Sequence, residues 1–209
     1  MFVIAMRDMA MLDPDGAARW RALGDGVARN ARRRLWDARR RKFTPHLYLE
    51  GSPFRAGFDE ARTWYHGGTI VAIQAGLLTR AEIARAYRTM RANVRAAGAP
   101  SIGLTLYPPY PADAVPGSST NSPWRYQNGG DWTWFGARMI GALIAADRPA
   151  DAYRALDPMI ARTLADKGFY EWYGRDGKPY GSAAFKGSAG VLVTAIDALR
   201  GWARREARS

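Results

Sequence analysis

The sequence predicts an all-α protein in which two kinds of helix alternate, the plan of an α/α toroid. Segments at about 68–78 and 131–146 are apolar on nearly all sides, whereas those that follow them, at 80–97 and 149–167, are more polar. A helix that is apolar all round needs neighbours on every side, but an amphipathic helix can face water. The alternation therefore predicts two concentric layers, built here from about six helices.

The layout of these segments repeats along the chain. Tyr65-His66-Gly67-Gly68 precedes the first apolar helix, and Tyr126-Gln127-Asn128-Gly129-Gly130 precedes the second, 61 residues later. Tyr180-Gly181 follows after a further 54 residues and precedes a last helix, from about Ser188, with one apolar stripe. Each unit reads as a loop, an inner helix and an outer helix, which is the signature of a repeat architecture.

Local signals give the expected ends of the helices. Asp13 before Pro14 is typical of an N-cap and predicts a helix over about 16–41. Thr79 with Glu82 three residues later predicts a capping box. The 149–167 segment is expected to divide at Asp157–Pro158, because proline lacks the N–H that a helix interior uses.

Size and composition limit the classes of protein. The 209 residues, 47% of them hydrophobic, fit one globular domain over 1–209. No cysteine is present and the histidines are two, His46 and His66, so we expect no metal site and no cofactor. The first apolar run, MFVIAM, ends at Arg7 and is too short for a signal peptide or a membrane span, which predicts a cytoplasmic protein without a membrane partner.

The net charge of +12 raises nucleic acid as a partner, because cationic side chains release counterions from phosphates. The basic clusters, at 32–42 and 200–208, are not interleaved with aromatic residues that would stack on bases. We therefore attribute the charge to an arginine-rich composition and expect no nucleic-acid partner. A basic nucleic-acid-binding helical protein is kept as an alternative.

Aromatic, amide and acidic side chains are concentrated where loops enter the inner helices. In a toroid these loops line one mouth, so their side chains converge on one cavity. Flat rings stack on the C–H faces of sugars, and amides and acids pair with sugar hydroxyls. This mixture predicts a carbohydrate partner, against the alternative that the rings fill the core. The residues concerned are Trp64, Tyr65, His66, Trp124, Tyr126, Gln127, Asn128, Asp131, Trp132, Trp134, Phe169, Tyr170, Glu171, Trp172, Tyr173 and Tyr180.

Two of these stretches resemble a known group of enzymes. Y-Q-N-G-G-D-W-T-W (126–134), together with F-Y-E-W-Y-G-R-D-G-K-P-Y-G (169–181) and the apolar helix after it, is similar to the C-terminal half of the six-hairpin (α/α)6 glycosidases. That group includes trehalase, neutral/alkaline invertase, processing α-glucosidase and glycogen-debranching-type glucosidases. L-W-D (35–37) and Y-H-G-G-T-I-V-A-I-Q-A-G-L (65–77) are similar to the preceding hairpins. The resemblance implies a partial barrel, since twelve helices close the ring in that group.

The resemblance also implies the chemistry, hydrolysis of an α-linked, gluco-configured sugar with inversion. Glu171 matches the E-x-Y glutamate, which implies the general base that activates water; the alternative is an exposed loop carboxylate. The pocket motif matches Asn128, Gly129, Gly130 and Trp132. The full set of expected substrate-binding residues is Tyr65, His66, Tyr126, Gln127, Asn128, Gly129, Gly130, Asp131, Trp132, Trp134, Trp172 and Tyr180.

Inversion needs a second carboxyl, as general acid, roughly 6.5–9.5 Å from the base. Asp59, Glu60 and Asp131 are the candidates, and we favour Asp59; capping of the next helix is the alternative for Asp131. For His66, ligand contact and a hydrogen bond within the loop both stay open.

Half a ring leaves its inner helices exposed, which gives three alternatives for the whole molecule. Two chains associate as a homo-oligomer, an N-terminal half completes a larger catalytic domain, or the helices pack as a compact bundle with an open groove. Without a second carboxyl, the chain is a carbohydrate-binding or truncated glycosidase fragment.

Overall fold

The computed structural model describes residues 1–55, 57–114 and 122–208. Helices account for most of this chain, and the strands are short antiparallel pairs of two residues each. The helices are α1 (Phe2–Leu12), α2 (Ala17–Leu35), α3 (His66–Gln74), α4 (Arg80–Ala97), α5 (Thr133–Ala145), α6 (Pro149–Asp166) and α7 (Lys186–Glu206). The strands are β1 (Trp36–Asp37), β2 (Lys42–Phe43), β3 (Trp64–Tyr65), β4 (Leu106–Tyr107), β5 (Trp172–Tyr173) and β6 (Pro179–Tyr180).

Helix α5 lies in the middle of the packed helices, as the apolar character of its sequence predicts. It packs against α3, α6 and α7 and buries residues on most of its surface. Helices α4 and α6 each bury one side only, which is the pattern of an outer layer. The all-α class and the layered arrangement of helices are therefore confirmed.

The core lies between the two layers. Ile70 on α3, Met90 on α4, Ile140 on α5 and Met159 on α6 are all 0% exposed and belong to one apolar cluster. Each such side chain contributes about 1.5–3 kcal/mol to folding when it leaves water. This cluster holds the helices of the two layers together.

The capping box of α4 is confirmed. Thr79 N donates to Glu82 Oε2 at 2.9 Å, and Glu82 N donates to Thr79 Oγ1 at 3.3 Å. The helix ends at Ala97 and is capped by Gly98, whose φ of +63° a residue with a Cβ adopts only with strain. Asp13 is not the expected N-cap of the next helix, because α2 begins at Ala17 and its N-cap is Gly16. The Asp13 carboxylate instead accepts hydrogen bonds from Gly16 N and from Trp20 Nε1.

Two expected helix boundaries are wrong, and the number of helices and the start of the last helix differ slightly from the expectation. The described chain has seven helices rather than six, since the apolar N-terminal run forms α1. The predicted helix over 16–41 ends at Leu35, because Asp37 accepts the N–H groups of Arg39 and Arg40 and turns the chain into the β1–β2 pair. Helix α6 runs unbroken through Pro158. The last helix begins at Lys186, slightly before Ser188.

A membrane span requires about 20 consecutive apolar residues, and no helix within the described ranges meets that requirement.

Candidate functional site

The segments that lead into the helical units lie side by side. Strand β3, which precedes α3, pairs with β4, and Leu104 just before β4 bridges to Asp131, which precedes α5. Asp131 N in turn donates to Tyr173 O at 2.9 Å, and Tyr173 N donates to Asp131 O at 2.7 Å. Backbone hydrogen bonds thus connect the entrances of α3 and α5 to the hairpin before α7. This convergence forms the mouth at which the candidate site lies.

Glu171 lies at this mouth with its carboxylate against Tyr126. The Tyr126 hydroxyl donates to Glu171 Oε1 at 3.2 Å. Gly181, in the strand-like segment opposite, makes room for this position, because a Cβ there would lie 2.7 Å from the Cβ of Glu171 and would overlap its Oε2. Gly181 also has a φ of +74°, so two separate requirements select glycine. The side chain of Glu171 is half-buried.

Aromatic rings pack around Tyr126, the partner of this carboxylate. The Tyr126 ring packs edge-on against Trp132, with centroids 5.0 Å apart, and against Trp172 at 6.3 Å. The indole of Trp132 donates to Tyr126 O at 3.1 Å, which fixes the loop from the inside. Burial, and then the charge of Glu171, raises the pKa of the Tyr126 hydroxyl, so this group remains a hydrogen-bond donor at neutral pH.

The expected pocket motif positions the loop. Asn128 is buried, its Oδ1 accepts Tyr110 N at 2.7 Å, and its Nδ2 donates to Tyr110 O at 2.9 Å. Gly129 N donates to Thr105 Oγ1 at 3.0 Å. Gly130 lies under Tyr126, where a Cβ would overlap the Tyr126 carbonyl oxygen. These residues join the 126–130 loop to the 105–110 segment and so hold Tyr126 opposite Glu171.

Asp131 does not cap α5, whose N-cap is Trp132. The Asp131 side chain is 1% exposed, and its Oδ1 lies 2.9 Å from Arg162 Nη1 on α6. Its two oxygens also accept Ser101 N at 2.6 Å and Ser101 Oγ at 2.8 Å. These partners hold the Asp131 carboxylate in the interior beneath the mouth, so the interpretation of Asp131 as a helix cap is wrong.

The turn at 59–60 brings its two carboxyls into different surroundings. Asp59 is half exposed, accepts Ala61 N at 3.0 Å and lies 3.5 Å from Arg40 Nη2. Glu60 is largely buried and its Oε1 accepts the hydroxyls of Tyr48, at 3.0 Å, and of Tyr110.

His46 completes the surroundings of Glu60, with its Nδ1 2.7 Å from Glu60 Oε1. Burial, together with the hydrogen bond to Glu60, raises the pKa of Tyr48 to about 12. The roles of His46 and Tyr48 were not predictable from the sequence, because nothing in the irregular segment 42–64 marks them as partners of Glu60.

His66 is fully buried beneath the mouth. Its Nε2 lies 3.0 Å from the side-chain amide nitrogen of Asn93 on α4, and burial lowers the pKa of the imidazole to about 3. Of the two roles left open for His66, this position favours the internal hydrogen bond over ligand contact. Tyr65, one residue earlier, is half-buried, and its ring lies 6.1 Å from that of Tyr110.

The remaining expected residues are Trp172, Tyr180, Trp134 and Gln127. The Trp172 and Tyr180 rings stack with centroids 4.5 Å apart and planes 16° apart. Trp134, on the first turn of α5, lies under the guanidinium of Arg138 at 4.0 Å, and Gln127 is exposed. Tyr126, Glu171, Trp132 and Trp172 thus form one group, while Tyr65 belongs to the cluster around Glu60.

Within 1–55, 57–114 and 122–208 there is no group of three or more His, Asp or Glu side chains that would hold a metal ion.

No protein-family model matches the sequence, and no curated protein sequence does so either. Solved structures match the fold. A GH63 mannosylglycerate hydrolase from Thermus thermophilus in complex with glucose is 19% identical, with a TM-score of 0.64 over 92% of this chain and 43% of that one. The same enzyme in complex with Tris and D-glycerate is 16% identical, with a TM-score of 0.62 over 90% and 41% of the two chains.

An uncharacterized conserved protein from the same organism gives a TM-score of 0.65 at 19% identity, over 92% of this chain and 44% of that chain. This chain therefore spans less than half of the length of the structures that it matches. The resemblance to six-hairpin glycosidases is confirmed at the level of the fold: over nearly all of its length, the chain has the fold of part of an (α/α)6 toroid.

Proposed function

We propose that this chain is the C-terminal part of the catalytic domain of a glycoside hydrolase, with Glu171 as the general base. The observation that carries this proposal is the Tyr126–Glu171 hydrogen bond within a group of aromatic rings, at the mouth of a partial toroid. A carboxylate held by a phenol donor presents its second oxygen to a water molecule, and the rings supply flat faces for a sugar.

We propose inversion as the mechanism and an α-linked, gluco-configured sugar as the substrate. Inversion requires the base to activate water on one face of the sugar while a second carboxyl protonates the leaving oxygen on the other. The fold match to a GH63 mannosylglycerate hydrolase, which was crystallised with glucose, supports a carbohydrate as the partner.

The general acid is proposed to lie on the turn at 59–60. Asp59 is the more exposed carboxyl and remains our first choice, while Glu60 is held by two tyrosine hydroxyls and His46. The matched pair Asp59→Asn and Glu60→Gln separates the two, because the loss of the acid lowers the rate most for glycosides with poor leaving groups. Retained activity toward such glycosides in both variants would remove this turn from the reaction.

The test of the base is Glu171→Gln, which keeps the size and hydrogen-bonding shape of the side chain. We expect hydrolysis of α-glucosides to fall by at least about 100-fold while sugar still raises the melting temperature by mass action. Asp157→Asn, at an exposed position on α6, is the control and should keep full activity. Unchanged hydrolysis in Glu171→Gln would overturn the assignment.

A carbohydrate-binding fragment without turnover is the second candidate. It is favoured by the commitment of Asp131 to Arg162 and Ser101, which leaves Glu171 without a second carboxyl from its own loop group. Under this alternative glucose stabilises the wild-type chain, yet no reducing sugar appears from any α-glucoside.

A further inference from the structure

A cleft of about 410 Å³ opens beside the hairpin formed by β5 and β6. Its walls include the stacked rings of Trp172 and Tyr180 and the indole of Trp124. Glu171 is not part of its lining, but Trp172 lines the cleft and also contacts Tyr126, the partner of Glu171. The other lining residues are Gly98, Arg125, Gly174, Arg175 and Asp176.

Two arginines at this cleft lie over its aromatic walls. The guanidinium carbon of Arg175 is 4.4 Å from the centroid of the Trp124 ring, and that of Arg125 is 6.0 Å from the Tyr180 ring. A cation over a ring face is held in place by the ring quadrupole, and this contact leaves the N–H donors of the guanidinium unused.

Neither guanidinium has a carboxylate partner within the described ranges 1–55, 57–114 and 122–208. The acidic side chain that lines the cleft, Asp176, lies 3.6 Å from Lys178 Nζ instead and also accepts Lys178 N. The cleft thus combines two oriented cations with flat aromatic walls. A neutral sugar needs the walls, but it does not need two positive charges at the same place.

We infer that this cleft binds an anionic sugar, whose ring stacks on the Trp172–Tyr180 pair while its carboxylate or phosphate group is held by Arg125 and Arg175. Arginine N–H groups match both anions, because each presents two oxygens at the spacing of the guanidinium fork. The inference deepens the proposed function, and it rests on that function for the identification of the stacked ring as a sugar. Through Trp172, it places the charged unit of an acidic glycan next to the unit at which Glu171 would activate water.

The test measures binding of glucuronic acid, glucose 6-phosphate, glucose and inorganic phosphate to the 209-residue chain. Isothermal titration and quenching of tryptophan fluorescence both apply, because two tryptophans line the cleft. We expect one or both anionic sugars to bind at least about tenfold more tightly than glucose, as charge-assisted hydrogen bonds contribute more than neutral ones. The comparison of the two anionic sugars distinguishes a carboxylate from a phosphate ligand.

The double variant R125A/R175A should lose this tenfold preference while its affinity for glucose stays the same. The control R204A/R205A removes two exposed arginines from the end of α7, so it lowers the net charge equally and should keep the preference. Circular dichroism of each variant confirms that the fold is intact. Equal affinity for glucose and the anionic sugars in the wild type would overturn the inference. An equal loss of the preference in the control variant R204A/R205A would overturn it as well.

Two further outcomes separate this inference from the proposed function. Trp172→Ala should weaken the binding of the anionic sugars but not the binding of inorganic phosphate. If inorganic phosphate binds as tightly as glucose 6-phosphate and Trp172→Ala changes neither affinity, the cleft attracts only free anions and the inference is wrong. Glu171→Gln should leave binding of the anionic sugars unchanged. If no glycoside is hydrolysed but the preference for anionic sugars holds, the proposed catalysis fails and the binding site stands.

Discussion

Arg162 on α6 and Asp131 before α5 form an ion pair beneath the mouth, with Arg162 Nη1 2.9 Å from Asp131 Oδ1 and side-chain exposures of 10% and 1%. The Arg162 guanidinium also lies 3.9 Å from the ring centroid of Tyr173, and its Nη2 donates to Thr133 Oγ1 at 2.8 Å. Because Asp131 and Tyr173 exchange the backbone hydrogen bonds that join the two loops, this arginine anchors the outer layer to the site.

Arg162→Met should therefore be strongly destabilising, because it leaves the Asp131 carboxylate buried without its cation. We expect the free energy of unfolding in urea to fall by about 3–5 kcal/mol. Arg154→Met is the matched control on the same helix: Arg154 lies 2.7 Å from Asp151, but it is 60% exposed, so its loss should cost less than about 1 kcal/mol. Equal losses of stability in the two variants would show that the buried ion pair stabilises the fold no more than the exposed one.

The layers of this fold were predictable from sequence because they depend on the periodicity of apolar residues. The all-round apolar character of 131–146 predicts the central position of α5, and Thr79 with Glu82 predicts the start of α4. Proline was a poorer guide. Pro158 lies inside α6, because the packing of that helix against α5 outweighs the missing hydrogen bond.

The roles of the acidic residues were less predictable, since they depend on partners distant in sequence. A local rule makes Asp131 an N-cap, but Ser101 and Arg162, 30 and 31 residues away, determine its position. Glu60 likewise has Tyr110 as a partner 50 residues later. The Glu171 assignment came from a resemblance of motifs, and no spacing rule would have placed Tyr126 against it.

Gly181 should be essential for the position of Glu171. In Gly181→Ala the new Cβ would lie 2.7 Å from the Cβ of Glu171, so this side chain must move away from Tyr126. We expect hydrolysis to fall by at least about 10-fold, because displacing a catalytic group by about 1 Å costs that much or more. The assay is the release of reducing sugar from an α-glucoside.

Gly177→Ala is the control for backbone strain in the same hairpin. Gly177 has a φ of +73°, close to the +74° of Gly181, but a Cβ there would meet no atom within 4 Å. Both variants should lose about 1 kcal/mol of stability from the left-handed conformation, and only Gly181→Ala should lose activity. Normal activity in Gly181→Ala would mean that Glu171 does not act from its present position.

Tyr126→Phe removes the hydroxyl that donates to Glu171 and keeps the ring that packs on Trp132. Since a hydrogen bond to a charged group contributes about 1.5–3 kcal/mol, kcat should fall by about 10-fold or more while KM changes little. Tyr153→Phe, at an exposed position on α6, is the control and should be neutral. A rise in KM with unchanged kcat would instead place Tyr126 in substrate binding alone.

The buried imidazole of His66 should make the protein less stable in mild acid. Burial lowers its pKa from 6.5 to about 3, so between these values the unfolded chain binds a proton that the folded chain excludes. The free energy of unfolding therefore falls as the pH decreases, by about 2 kcal/mol between about pH 7.5 and 5. Urea unfolding at several pH values measures this slope.

The slope can be assigned to His66 because other shifted groups titrate elsewhere. Hydrogen bonds and arginines lower the pKa of Asp13, Asp37 and Asp151 below their ordinary 3.8, so their stabilisation is lost only in stronger acid. His66→Gln should remove most of the slope in mild acid, whatever its effect on stability near neutral pH. Tyr153→Phe, at an exposed position on α6, should keep the slope. A slope that persists in His66→Gln would mean that this imidazole takes up its proton inside the folded protein.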